Sequence, residues 1–144
     1  MSVKPQNLAN HARYVPLFHF VLAAMLLLYL VWTVRHVIVA PTPQHGVDLM
    51  MALAFVIMFI YLRQFPVRVQ DRVIRLEETL RLQRLAPDLA NRAGEFSPEQ
   101  LVGLRFASDE EFPALARKVL EEKLMNRAEI KKLVTKWRPD YLRA

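Results

Sequence analysis

The chain has 144 residues, of which 20 are basic and 14 acidic, and its formal net charge is +6. Only four of the charged residues precede Arg63, so the front of the chain has a membrane-like composition and the rest a water-soluble one. This distribution excludes a single soluble globule and leaves too little polar chain for a large catalytic domain. The sequence contains no cysteine, which excludes disulfides, thiol nucleophiles and cysteine-bound metal clusters.

The first apolar segment extends from Tyr14 to Val34 and contains no Lys, Arg, Asp or Glu. As a helix it is expected to be about 31 Å long at 1.5 Å per residue, close to the roughly 30 Å hydrocarbon core of a bilayer. Backbone groups in lipid must be satisfied within the segment, which also favours a helix. We predict a first span over about 14–36, preceded by a cytoplasmic or interfacial segment over 1–13.

The second apolar segment, about 47–65, has an uncharged part that is short for a span. Asp48 and Arg63 at its ends can reach the lipid headgroups and so extend it. The connecting residues, 37–46, contain two prolines and a glycine, which indicates a turn between antiparallel helices. We therefore predict a transmembrane helical hairpin over 14–65. The alternative, two buried helices of a soluble core, needs more chain to cover them than is present.

Basic residues near the ends of the two spans predict which side of the membrane each end faces. The turn carries Arg35 alone, and the N-terminal flank carries Lys4 and Arg13. The flank after the second span carries six arginines: Arg63, Arg68, Arg72, Arg75, Arg81 and Arg84. Both termini are therefore expected in the cytoplasm, with the turn outside.

An amphipathic juxtamembrane helix is predicted over 66–86, with a kink or a helix restart at Pro66. Its apolar residues recur at spacings of four, three and four: Val69, Val73, Leu76 and Leu80. Two partners for this apolar seam stay open, another helix in a short coiled coil or the chain's own C-terminal helices. A basic stripe beside the seam favours contact with anionic lipid headgroups, although the same residues also serve as an orientation signal: Arg68, Arg72 and Arg75.

The residues from 87 to 144 are expected to form a small cytoplasmic helical module. Capping sequences indicate three helix starts, at Ser97, Ser108 and Asn126. The last helix has an apolar face with helical spacing: Ile130, Leu133, Val134 and Trp137. Because such a core is small, the module is expected to lean on the juxtamembrane helix, a second subunit or the membrane surface.

Few residues are suited to catalysis or cofactor binding. His19 lies inside the first span, but a haem or metal site needs a second ligand, and the second span contains no histidine. The sequence has no glycine-rich phosphate loop, HExxH motif or paired intramembrane carboxylate. We therefore expect neither an enzyme activity nor a cofactor. Acidic residues alternate with the basic ones near the C-terminus, so nucleic acid is not an expected partner.

Four motifs occur in order along nearly the whole chain: QNLANHARYVPLFHF from Gln6, DRVIRLEE from Asp71, LRFASDEE from Leu104 and WRPD from Trp137. With these motifs the chain resembles a family of short bacterial membrane proteins that have two predicted spans and no assigned activity. The resemblance implies a protein of the bacterial cytoplasmic (inner) membrane. It also implies candidate partner or lipid contacts at motif residues, with caps, ion pairs and interfacial anchors as the alternative for each: Asn7, Asn10, His11, Arg13, Pro16, His19, Arg105, Trp137, Arg138 and Asp140.

The predicted fold class is all-α, an integral membrane two-helix hairpin followed by an amphipathic juxtamembrane helix and a small cytoplasmic helical module. The leading hypothesis for the function is a non-enzymatic scaffold or accessory subunit. It would act by self-association or within a larger membrane complex, with lipids, further copies or other membrane-protein subunits as partners. The alternative is a homo-oligomeric pore or a histidine-ligated cofactor protein, although the second span offers little polar lining for a pore.

Overall fold

The computed structural model describes residues 5–141, and over that range the chain is all-helical. The first helix begins with a π-helical stretch, Leu17–Leu22, and continues as α1, Ala23–Val39. Helix α2 follows at Pro43–Leu85, and a 3₁₀ segment lies at Pro87–Glu95. Three short helices complete the described chain: α3 (Pro98–Leu104), α4 (Phe112–Glu121) and α5 (Arg127–Leu133).

Two compact units make up the chain. One is the apolar unit, Tyr14–Pro66. The other is the polar unit, in which Met1–Arg13 joins Val67–Ala144. The N-terminal segment therefore belongs structurally with the C-terminal half of the chain, although about fifty residues separate the two pieces in sequence.

The apolar unit contains two helical stretches that are long and apolar enough to cross a membrane. Their most apolar stretches have mean hydropathies of 2.2 for Leu17–Val39 and 2.0 for Pro43–Leu85. Only small side chains, Thr33 and Ala52, are buried within the unit, and the Phe18 and Phe59 rings stack with centroids 4.6 Å apart. The larger apolar side chains of both helices point outward, which is the reverse of a soluble helical core.

The predicted turn needs correction, and so does the helix restart that was one of two alternatives at Pro66. The turn predicted over 37–46 is much shorter, since α1 continues to Val39 and α2 already begins at Pro43. A proline at a helix start loses no hydrogen bond, so Pro43 begins α2 instead of preventing it. The helix restart envisaged at Pro66 does not occur, because α2 continues through that residue to Leu85. An interior proline removes one backbone hydrogen bond, and the surrounding helix tolerates that loss here.

The core of the polar unit is built from the end of α2, the 3₁₀ segment and the three short helices. Its largest fully buried apolar side chains come from α2, the three short helices and the stretch that follows α3: Leu82, Leu101, Leu104, Phe106, Phe112, Val119 and Ile130. Helices α3 and α5 approach closely at Gly103, where an added Cβ would lie 2.9 Å from the Cβ and Cγ2 of Ile130. A larger residue at Gly103 would therefore force the two helices apart.

The helix starts follow local sequence at two of the three predicted positions. Ser97 and Gln100 form a reciprocal capping box at α3, and the Asn126 side chain accepts from the Ala128 amide at the start of α5. The start predicted at Ser108 is wrong, because α4 begins at Phe112. Ser108 Oγ instead accepts from the Glu111 amide in a turn that precedes the helix.

The last helix is shorter than its apolar spacing predicts. Helix α5 ends at Leu133, so Val134 and Trp137 lie beyond it rather than on its face. Trp137 lies in an extended stretch that pairs antiparallel with Ala107. The Arg138 amide donates to Phe106 O at 2.7 Å, and the Ser108 amide donates to Lys136 O at 2.9 Å. These backbone bonds hold the residues after α5, 134–141, here called the tail, in an extended form. They therefore compete with continuation of the helix.

Candidate functional site

The polar unit contains a cluster at which the N-terminal segment meets the C-terminal tail, here called the terminal joint. Its centre is the buried Phe106 ring. Trp137 stacks on that ring at 4.5 Å between centroids, and His11 approaches its edge at 5.5 Å. Two cations lie over it, the Arg105 guanidinium at 4.5 Å and the Lys131 ammonium at 5.0 Å from the centroid. Cations over an aromatic face are attracted by its quadrupole, and more strongly where water is excluded.

Hydrogen bonds in the terminal joint determine which of its polar groups donate and which accept. The Gln6 amide makes two bonds to the backbone of Asp140, donating to its oxygen at 3.1 Å and accepting from its nitrogen at 2.7 Å. His11 Nδ1 lies 2.7 Å from Leu8 O, so this nitrogen carries the proton. His11 Nε2 then accepts from Lys131 Nζ at 3.1 Å. The arrangement requires a neutral imidazole.

Arg105 and Asp140 complete the joint. Arg105 is buried, and its guanidinium lies 3.4 Å from the Asp140 carboxylate. Five residues drawn from distant parts of the sequence therefore hold the N-terminal segment against the tail through polar contacts, aromatic packing and an ion pair: Gln6, His11, Arg105, Trp137 and Asp140.

A second buried cluster joins α2 to the rest of the polar unit. The Arg81 guanidinium donates to the Glu78 carboxylate at 3.1 Å, to Asp109 Oδ1 at 2.9 Å and to the Ala107 carbonyl at 2.6 Å. The same guanidinium lies over the Phe112 ring, 4.4 Å from its centroid. Burial raises the pKa of Glu78, and the neighbouring Arg81 opposes that rise. Each of these groups has a partner, so the cluster stabilises the fold and does not present a reactive group.

Glu111 holds the tail from the other side. Its carboxylate accepts from the Thr135 amide at 2.9 Å, from the Thr135 hydroxyl at 2.9 Å and from the Lys136 amide at 2.9 Å. Burial alone raises the pKa of Glu111, but the bonds from Thr135 and Lys136 favour the charged form and lower it overall. The carboxylate captures the two amides that follow α5, which explains why the helix stops at Leu133.

A groove of about 810 Å³ lies between α2 and the tail residues 138–141. Its charged lining includes four arginines and three acids: Arg81, Arg84, Arg105, Arg138, Glu77, Glu78 and Asp140. Most of these charges pair with one another, as in the contact of Arg138 with Glu78 at 3.7 Å. The groove therefore has little net charge with which to select a small anion.

The apolar seam of α2 is exposed, and its residues Val73 and Leu80 also border the groove between α2 and the tail. Its four residues, Val69, Val73, Leu76 and Leu80, are each between 49% and 62% exposed. A different face of the helix packs on the polar unit through buried residues: Ile74, Glu78, Arg81 and Leu82. Of the two partners that the sequence left open for the seam, its own C-terminal helices do not cover it.

The residues singled out from the sequence thus separate into groups. The structure brings His11, Arg105, Trp137 and Asp140 together in the terminal joint, and Arg138 lies beside Glu78. Other candidates are exposed on the surface of the polar unit: Asn7, Asn10, Arg13, Arg68, Arg72 and Arg75. Asn7 and Asn10 shape their own turn, in which the Asn7 amide donates to Asn10 Oδ1 at 2.6 Å.

His19 and Pro16 belong to the apolar unit. His19 Nδ1 accepts from the Val15 amide at 3.0 Å, so this ring nitrogen has a partner four residues earlier in the chain. Among residues 5–141 no group of three or more His, Asp or Glu side chains could hold a metal ion. The sequence reasoning missed Gln6, Phe106, Lys131 and Glu111, whose partners lie 24 to 134 positions away. No local spacing in the sequence signals contacts of that range.

The chain belongs to the family of unknown function DUF6526, whose match extends over residues 1–144. The family relationship therefore includes the apolar helices as well as the polar unit. Comparisons with curated proteins and with solved structures gave no match.

Proposed function

We propose that the chain is an integral protein of the bacterial cytoplasmic membrane, with a two-helix hairpin over 14–65 and both termini in the cytoplasm. The outward-facing apolar side chains of α1 and the first half of α2 support this, since water would solvate them poorly. Lipid satisfies such a surface at no cost, because its tails are as apolar as leucine. Each helix also meets the length that a bilayer requires.

The terminal joint is the observation that carries the proposed topology. Residues that precede the first apolar helix bond to residues that follow the second, as in the paired bonds between Gln6 and Asp140. These two parts of the chain must therefore share one compartment, which is possible only if the chain crosses the membrane an even number of times. The arginines after the second span, among them Arg68 and Arg75, support the cytoplasm as that compartment.

We propose further that the protein is a non-enzymatic scaffold or accessory subunit that acts by binding other membrane-protein subunits or further copies of itself. Several buried polar groups of the polar unit bond to one another, as Arg81 does with Glu78 and Asp109. The apolar seam of α2, in contrast, is available for association. Arg68 and Arg75, exposed on a neighbouring side of the same helix, are suited to anionic headgroups.

The topology can be tested by single-cysteine labelling, because the natural sequence contains no cysteine. In the variant Gln44→Cys the thiol lies in the first turn of α2, and in Asn91→Cys it lies in the exposed 3₁₀ segment. A membrane-impermeant maleimide applied to intact spheroplasts is expected to label Gln44→Cys, and to label Asn91→Cys only after lysis. Equal labelling of both variants from outside, or release of the protein from membranes by alkaline carbonate, contradicts the proposal.

The binding role requires a separate measurement. Gentle detergent extraction followed by affinity purification is expected to recover the chain as an oligomer or with a stoichiometric membrane-protein partner. Recovery of the monomer alone, from membranes in which the labelling pattern has been verified, contradicts the scaffold role and leaves the topology intact.

A further inference from the structure

We propose that the apolar seam of α2 is the contact at which two copies of this chain pair, side by side and in parallel, as a short coiled coil. The inference rests on the proposed membrane function, because insertion in one membrane gives both copies the same direction. It goes further by naming the partner as a second copy and by placing the contact on Val69, Val73, Leu76 and Leu80.

The position of the seam on the helix leaves it accessible. Successive residues of a helix are rotated by about 100°, so the four seam residues lie within about 60° of one another. The centre of the buried face, formed by Ile74, Glu78, Arg81 and Leu82, lies about 150° away on the same helical projection. Val73 and Leu80 also border the groove beside residues 138–141, so a second helix would approach the seam next to that groove and away from the buried face of α2.

The spacing of the seam is that of a coiled coil. Intervals of four, three and four place Val69 and Leu76 at d positions of a heptad, and Val73 and Leu80 at a positions. The apolar pattern ends at these four residues, because Pro66 occupies the preceding a position and Gln83 the following d position. The contact is thus confined to about two heptads.

Charge complementarity favours a second copy in parallel orientation. In this heptad Arg72 occupies a g position and Glu77 the following e position. A parallel pair of copies sets each Arg72 against the Glu77 of the other chain, which gives two equivalent ion pairs. An antiparallel pair sets g against g and e against e, and so loses both. Arg72 and Glu77 are exposed, and within residues 5–141 neither lies in a salt bridge, so both are available.

The short seam also explains why the membrane matters for pairing. Two heptads bury too little apolar surface to hold dilute chains together in water. Chains anchored in one bilayer are held at a high effective concentration and in a common orientation, so that a weak contact suffices. Pairing is therefore expected in membranes and in nanodiscs that hold two copies.

Disulfide cross-linking of single-cysteine variants in membranes tests the seam directly. In a parallel pair of Leu76→Cys chains, the two thiols face each other at the same d position. A slight adjustment of the two helices brings their Cβ atoms to the separation of about 4 Å that a disulfide requires. Arg75→Cys is the matched control, since it lies one residue away and points outside the seam. After copper–phenanthroline oxidation, the Leu76→Cys dimer is expected to exceed the Arg75→Cys dimer at least about tenfold at early times.

Charge exchange tests the predicted ion pairs in the Leu76→Cys background. Arg72→Glu alone and Glu77→Arg alone each place like charges across the contact and are expected to lower the dimer yield about three- to tenfold. The double variant restores opposite charges and is expected to recover most of the yield. Because all three changes are at exposed positions, circular dichroism is expected to show the same helix content as in the parent.

Several results would overturn the inference. Equal cross-linking at residues 75 and 76, or loss without recovery in the double charge exchange, excludes this face as the contact. Cross-linking between copies carrying Val69→Cys and copies carrying Leu80→Cys, without any Leu76→Cys dimer, indicates antiparallel pairing and overturns it. A Leu76→Cys adduct with a protein of different mass shows another occupant. If these tests fail while Gln44→Cys and Asn91→Cys label as proposed, only the pairing is wrong; if the labelling fails, the membrane proposal is wrong as well.

Discussion

Removal of the Glu111 carboxylate is expected to release the tail from the polar unit. In Glu111→Ala, the Thr135 amide and hydroxyl and the Lys136 amide lose their common acceptor. A hydrogen bond to a charged group contributes about 1.5–3 kcal/mol when buried, but Glu111 is partly exposed and water replaces part of what is lost. We therefore expect a loss of about 2 kcal/mol in the local stability of the tail, and about half that for Glu111→Gln, which keeps one acceptor oxygen.

Hydrogen exchange measures this local stability. A loss of about 2 kcal/mol corresponds to roughly thirtyfold faster exchange of the Thr135 and Lys136 amides, since 1.4 kcal/mol is a factor of ten. Peptides from α3 are expected to exchange at the parent rate, because the change leaves their bonds in place. Glu110→Gln is the matched control, since the neighbouring Glu110 carboxylate contacts only the exposed Lys136 ammonium and receives no backbone amide.

The same carboxylate makes the tail sensitive to acid. The pKa of Glu111 is lower in the folded state than its ordinary value of 4.5, so its stabilising effect is complete above that ordinary value. The effect is lost as the pH falls through the lowered folded-state pKa. The tail of the parent is therefore expected to loosen in that acidic range, as followed by the fluorescence of Trp137 in a Trp32→Phe background. The reasoning is refuted if Glu111→Ala exchanges at the parent rate, or if acid releases the tail equally in parent and variant.

Three further changes probe other parts of the molecule. Gly103→Ala inserts a Cβ about 2.9 Å from Ile130, so the free energy of unfolding is expected to fall by about 1–3 kcal/mol. Gly46→Ala is the control, since the space around Gly46 is open, and it is expected to be neutral or stabilising. Thermal melts measure both effects. His11→Leu keeps apolar bulk in the terminal joint but removes an acceptor nitrogen, and is expected to speed proteolysis of the N-terminal segment about fivefold, against no change for Ala12→Ser at the neighbouring exposed position. Neutralising Arg68 and Arg75 together is expected to reduce the preference for anionic over zwitterionic nanodiscs by about 1 kcal/mol per charge. The measurement is the difference in melting temperature between the two kinds of nanodisc. If the variant shows the same difference as the parent, the headgroup contact is ruled out.

The sequence predicted those features that depend on neighbouring residues. The lack of charge over Tyr14 to Val34 is sufficient to predict the first apolar helix, and the Ser97 cap depends on residues within one turn. The helix start predicted at Ser108 was wrong although its spacing was as good. Pro113 near the start of α4 favours a later beginning, and the Glu111 side chain that would close a capping box bonds to the tail instead.

Contacts between distant segments could not be predicted from one sequence. The spacing of Ile130 and Trp137 is also that of a longer helix, whereas the extended tail depends on distant partners such as Phe106 and Glu111, which lie more than twenty residues earlier. The seam of α2 shows a related ambiguity. Apolar spacing predicted its residues, but the helix packs on the polar unit through a mixed face that includes Glu78 and Arg81, which hydrophobicity alone does not mark.

The terminal joint has a consequence for how the chain reaches its native state. Gln6 leaves the ribosome 134 residues before its partner Asp140. Gln6 must therefore remain without that partner until Asp140 has been translated. In a nascent chain stalled at residue 130, both apolar helices would be complete while Gln6 still lacked Asp140. Formation of the terminal joint thus follows synthesis of both apolar helices.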